Sequence, residues 1–183
     1  PAQAQGADGA ALITRVDSAA FPAIDVDLAV NDGAGNHVAG LPAAAFALSE
    51  DSAPVAGAAA VEQETGVQVV FALDTSAAFK ARDAAAITRL DYVKTALTDF
   101  AQTQPWMKDG LDDVTLLAPE GPVITHSSRG ADIAQAVAAY TSTYAGAADP
   151  FQLVNAALDF VSEAEPRPGV RRFVVFLSNG LET

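Results

Sequence analysis

Four oxygen-bearing side chains stand where an α/β chain puts its chemistry. The apolar run Val69-Val70-Phe71-Ala72-Leu73 ends in Asp74-Thr75-Ser76, so a carboxylate and a hydroxyl follow the C-terminal end of a strand. The run Phe173-Val174-Val175-Phe176-Leu177 ends in Ser178-Asn179-Gly180, which puts an amide carbonyl at the matching position of a second strand. Asp149 precedes Pro150 at the start of the helix leading into that strand. In doubly wound sheets such loops meet at the carboxyl edge, where ligands bind. Other chemistry has less support. His126 adjoins Ser127 and Ser128, and His37 lies in a turn cluster. A Ser–His pair also needs an acid and an oxyanion hole, and no Gly-x-Ser-x-Gly elbow occurs. No Gly-x-Gly-x-x-Gly or P-loop is present, so no nucleotide cofactor is expected. The chain has no cysteine, which excludes a thiol nucleophile and a thiolate zinc site. A non-enzymatic protein is expected. The Asp109–Asp113 cluster reads as a solvated turn without EF-hand spacing. Trp106-Met107 reads as a loop plug over the core, with exposed binding residues as the alternative.

The elements that must position these residues fall into two groups. Residues 1–10 are small and polar and read as a flexible arm. Residues 11–64 read as a small antiparallel, β-sandwich-like unit. There Leu12, Thr14 and Val16 alternate with Ile13, Arg15 and Asp17, and Ile24, Val26, Leu28 and Val30 alternate with Asp25, Asp27 and Ala29. Asn31 to Asn36 is a turn, His37–Leu41 a return strand, residues 45–48 and 55–56 flank a second turn, and 58–62 would be a last strand. About 50 residues make a thin core, so this unit is expected to lean on its neighbour. Residues 66–183 switch to alternating strand and helix. Strands are expected at 67–73, 114–117, 123–125 and 173–177. Helices are expected over 83–104, around Ile133, Val137 and Tyr140, and from Asp149-Pro150 onward, with an acidic N-cap and proline in the first turn. The whole is a Rossmann-like, doubly wound, mostly parallel α/β sheet with strand order 3-2-1-4.

Composition narrows the partners. Ten Lys and Arg against 23 Asp and Glu give a formal charge of −13 in 183 residues. That balance repels phosphate backbones and anionic membranes, so a nucleic-acid partner is not expected. Mean hydropathy is +0.21, yet no stretch approaches the roughly 18 apolar residues of a membrane span. The chain opens on Pro1 with Ala2-Gln3-Ala4, a small-x-small pattern that fits export and processing. It stops six residues after Leu177, and further polypeptide beyond Thr183 is expected because few domains end just past a central strand.

Residues 66–183, with Asp74-Thr75-Ser76 after the first strand and Ser178-Asn179-Gly180 after the fourth, resemble about the first two-thirds of a von Willebrand factor A domain. Phe21-Pro22, Gly40-Leu41 and the Phe46-x-Leu48-x-Glu50-Asp51 pattern resemble the β region ahead of that domain in some bacterial exported proteins. The resemblance implies a metal-ion-dependent adhesion site of Asp-x-Ser-x-Ser, a threonine and a late aspartate. Here Asp74 and Ser76 agree, the second serine is Ala78, the threonine position falls on Asp149, and the late aspartate is Asn179. The ligand set that remains is Asp74, Ser76, Asp149 and Asn179, for Mg²⁺ or another divalent cation. The alternative is a vestigial site in which Asp149 is only a helix cap, Asp74 and Ser76 cap the segment that follows, and Asn179-Gly180 is a turn. The implied function is adhesion or protein–protein interaction in the cell envelope or outside the cell. A structural subunit of a larger assembly, held through an open sheet edge, is the alternative. A hydrolase is kept third, on fold class alone.

Overall fold

A computed structural model of the chain describes residues 4–6, 9–55, 57–103, 106–146, 149–163 and 170–178. The chain divides into two compact units, Pro1–Glu64 and Thr65–Thr183.

In the first unit, strands β1 (Ala4–Gly6), β2 (Gly9–Asp17) and β3 (Asp25–Asp32) form an antiparallel sheet in that order. Part of the segment expected as an arm is therefore strand, with Ala4 paired to Ala11. The register runs Ile13↔Leu28, then slips at Thr14, then Arg15↔Asp27 and Val16↔Val26. Paired residues share a face and strand residues two apart share a face, so the bulge brings Ile13 and Val16 together with Val26, Leu28 and Val30. This corrects the strict alternation expected of β2. The bulge absorbs one residue and turns Arg15 and Asp17 onto the opposite face with Asp25 and Asp27. Arg15 hydrogen-bonds Asp17 there and lies 3.6 Å from Asp27. The expected return strand over 37–41 is a single bridge, Asn31↔His37. The second hairpin shrinks to β4 (Ser49–Glu50) and β5 (Ala53–Pro54), and 58–62 forms no strand. Alanine fills much of that stretch and has little β preference. Over residues 9–55 and 57–64 none is buried, and Leu12 and Val16 are each 60% exposed.

The core belongs to the second unit, a mixed α/β structure. Strands β6 (Val67–Leu73), β7 (Asp113–Ala118), β8 (Gly121–Ser127) and β9 (Arg171–Leu177) form a four-stranded sheet in the order β8-β7-β6-β9. β6 runs parallel to β7 and β9, while β7 and β8 form an antiparallel hairpin. Helices α1 (Arg89–Gln102) and α2 (Gly130–Ala139) pack Leu97, Ala101, Ile133 and Val137 against Val69, Phe71, Leu73, Val114 and Leu116. Helix α3 (Pro150–Glu163) packs Leu153 and Ala157 against Val70, Ala72 and Leu117 on the other face. A strand covered on both sides needs apolar residues at every position, which is why β6 has no polar–apolar alternation beyond Gln68.

Local chemistry sets the boundaries. α1 starts at Arg89 rather than near 83 because Thr88 and Asp91 close a capping box, while Asp83 Oδ1 accepts the Ala85 and Ile87 amides in the preceding loop. Gly130 opens α2 where any Cβ would come within 2.0 Å of the Ala101 carbonyl. Only the start of the Asp109–Asp113 cluster is the solvated turn expected, with Asp109 and Gly110 exposed. Asp112 is 4% exposed and accepts the Val67 and Lys108 amides at 2.8 and 2.7 Å. Asp109 accepts the Gly130 amide at the start of α2, and Asp113 Oδ2 lies 3.1 Å from His126 Nδ1. These carboxylates tie loops together by accepting backbone amides or pairing with a ring nitrogen. The Trp106-Met107 pair splits: Met107 is in the core at 1% exposure and Trp106 is 69% exposed. Among the described residues, no helix is long and apolar enough to cross a membrane.

Candidate functional site

The carboxyl ends of β6 and β9 lie side by side because the two strands are parallel neighbours. The Asp74 amide extends their ladder by donating to the Leu177 carbonyl at 2.9 Å. Asp74 Oδ1 then accepts the Ser76 amide at 2.9 Å, which closes an Asx-type turn over residues 74–76. Ser178 Oγ, from the loop after β9, donates to Asp74 Oδ2 at 3.4 Å. The far side of the turn is anchored by Phe79, buried in a 3-10 turn over Ala77–Lys80. Asp74 itself is only 6% exposed. The structure thus brings Asp74, Ser76 and Ser178 into one hydrogen-bonded group. It places Asp149 as the N-cap of α3, with Oδ1 accepting the Phe151 and Gln152 amides at 3.0 and 3.2 Å. Asn179 lies outside the described residues.

The donor set fits a hard cation. Carboxylate and hydroxyl oxygens suit Mg²⁺, Mn²⁺ or Ca²⁺, and Mg²⁺ usually keeps several waters. The Asp149 cap engages Oδ1, and a carboxylate has lone pairs on both oxygens. Among the described residues no three His, Cys, Asp or Glu side chains gather. Among the described residues a cation at this edge would therefore rest on at most two carboxylates, with hydroxyls and water completing its shell. Ala78 offers no ligand.

A second group at the same edge had no signal in the sequence beyond a turn residue and a helix stripe. Glu120, in the β7–β8 turn, gathers the loop that follows α2. Its Oε1 accepts Ser142 Oγ at 2.9 Å and the Thr143 and Tyr144 amides at 2.8 Å each. Tyr140 Oη lies 3.1 Å from Glu120 Oε2 and 3.3 Å from Thr75 Oγ1. The single phenolic proton goes to the carboxylate, the stronger acceptor, and the Thr75 hydroxyl donates to Tyr140. Thr75, between Asp74 and Ser76, is wholly buried. Partial burial alone would raise the Glu120 pKa, but the amides of Glu120 and Tyr144 and the Ser142 and Tyr140 hydroxyls outweigh it and hold the carboxyl below its ordinary 4.5. Lys94 of α1 donates to the Tyr140 carbonyl at 2.9 Å and Lys80 to the Tyr144 carbonyl at 2.5 Å. Three charged side chains thus hold a loop that has no regular structure of its own. Glu120, Tyr140 and the rim of α2 also line an open groove of about 400 Å³.

The histidines take structural partners. His126 pairs with Asp113 and rests 6.3 Å from the Phe160 ring, while Ser127 Oγ bonds the Arg129 backbone. His37 Nε2 lies 4.0 Å from Glu62.

No family model, no curated protein and no solved structure matches this chain. Function is therefore read from the side chains themselves.

Proposed function

We propose that this chain is a non-catalytic protein–protein interaction module of an exported protein. Its binding surface is the carboxyl edge of the second unit's sheet, and a divalent cation is held there by Asp74, Ser76 and Asp149. An acidic group of a protein partner completes the coordination. Helices on both faces of a sheet with a parallel β7-β6-β9 core support a Rossmann-like reading of this unit, similar to a von Willebrand factor A domain. The β1-β2-β3 sheet supports a separate antiparallel unit ahead of it. The observation that carries the proposal is Asp74. It is a nearly buried carboxylate at the end of β6, beside the end of the parallel neighbour β9, with oxygen-bearing Ser76 and Ser178 next to it.

Thermal unfolding in chelator and then in millimolar Mg²⁺, Mn²⁺ or Ca²⁺ tests it. A ligand at a hundred times its dissociation constant adds about 2.7 kcal/mol, so Tm rises by roughly 5–10 °C. The shift disappears in Asp74→Ala. Superimposed curves for the wild-type chain overturn the cation site.

A second reading is favoured by β9, an edge strand among the described residues. Phe173 is 45% exposed there. In this reading the chain is a structural subunit of an assembly, and a partner adds a strand along β9.

A further inference from the structure

We infer that Thr75, Tyr140 and Glu120 couple the Asp74–Ser76 turn to the 140–146 loop, so that cation binding at the turn and order in the loop support each other. The inference rests on the cation reading above for its regulatory consequence, but the coupling itself is carried by geometry. Thr75 is buried between the two candidate ligands, and its hydroxyl reaches Tyr140 Oη at 3.3 Å. Tyr140 reaches Glu120 at 3.1 Å. The other oxygen of Glu120 holds the amides of Thr143 and Tyr144. One unbroken chain of hydrogen bonds therefore runs from the turn through a tyrosine to a carboxylate and into the loop. Loss of a link frees the turn to adopt other φ/ψ values, which spreads the ligand oxygens. A cation that fixes the turn in turn favours the loop arrangement in which the links are made, because coupling between two sites is reciprocal. Tyr140 and Thr75 are positioning residues in this scheme, and the exposed side chains of Thr141 and Thr143 are what a protein partner meets on the ordered loop.

The test uses the full chain, Mn²⁺ as the probe, and amide hydrogen exchange resolved by NMR. The variants are Thr75→Val and Tyr140→Phe, which keep shape and remove one hydroxyl each, their double, and Glu120→Ala. In the metal-free protein each single variant speeds exchange of the Ser76 amide. The Thr143 and Tyr144 amides, which Glu120 holds directly, also exchange faster, because coupling is reciprocal, but stay far better protected than in Glu120→Ala. Glu120→Ala exposes Thr143, Tyr144 and Ser76 together. Mn²⁺ affinity falls about tenfold in either single variant, as for other partners that orient ligands, and no further in the double, because both substitutions cut the same link. The coupling is overturned by wild-type exchange at Ser76 in both single variants, by losses that multiply in the double, or by Glu120→Ala loosening the loop alone. A wild-type chain that binds no Mn²⁺ overturns the cation reading, and the Ser76 exchange of the metal-free variants still decides the coupling.

Discussion

At the scale of single residues, the candidate site is only half legible in the sequence. Asp74 and Ser76 stand out because an apolar run stops at a carboxylate, and a strand end is a local event. Glu120 and Tyr140 do not stand out. Tyr140 falls on the helical stripe with Ile133 and Val137, and its ring does pack on the core those residues join. Where its hydroxyl goes depends on a turn 20 residues away that no periodicity can place. One acid-sensitive point of the molecule follows from the same group. Glu120 titrates below its ordinary 4.5 when folded, so its contribution to the loop is complete above that value and is lost as pH falls through the lowered one. Exchange at the Thr143 and Tyr144 amides, corrected for intrinsic rates, should show a protonation step below pH 4.5. Glu120→Gln should remove the step.

At the scale of elements, long periodic segments were readable and their ends were not. The strand order β8-β7-β6-β9 is the 3-2-1-4 order expected, because βα connections and a short Pro-Glu-Gly-Pro turn leave few alternatives. α1 loses its expected first six residues because Asp83 offers their amides an Asx-type loop and Thr88 offers a better cap. In the first unit, alternation identified β2 and β3 but misassigned Val16 and Ile13 to opposite faces, since a bulge leaves no mark in the pattern. β9 yields a test of strand addition. The Leu177 carbonyl points to β6, and backbone groups alternate direction along a strand, so those of Val174 and Phe176 point away from it. Val174→Pro should therefore leave the β6–β9 ladder intact and abolish any assembly through this edge. Val175→Pro should break the ladder and lower Tm sharply. Assembly that survives Val174→Pro, measured by sedimentation, counts against the edge.

At the scale of the whole molecule, the two units differ in how much they bury. The second has a continuous core on each face of its sheet, whereas residues 9–55 and 57–64 of the first include none that is buried. Local opening is governed by buried apolar contact. Amides of β2 and β3 should therefore exchange long before those of β6 and β7, and equal protection in the two sheets would contradict this. The Asp74–Ser178 contact joins residues 104 positions apart in the chain, and that span has a consequence in time. The β7–β8 hairpin is local, whereas pairing β9 with β6 must close the widest loop in the second unit and pays the largest entropy for it. Loop-closure entropy thus makes β9 the strand expected to dock last, and it is the one that completes the candidate site. In a nascent or half-folded chain Asp74 lacks its Ser178 partner, so any affinity of this edge for a ligand would arrive together with the end of folding and would serve as its report.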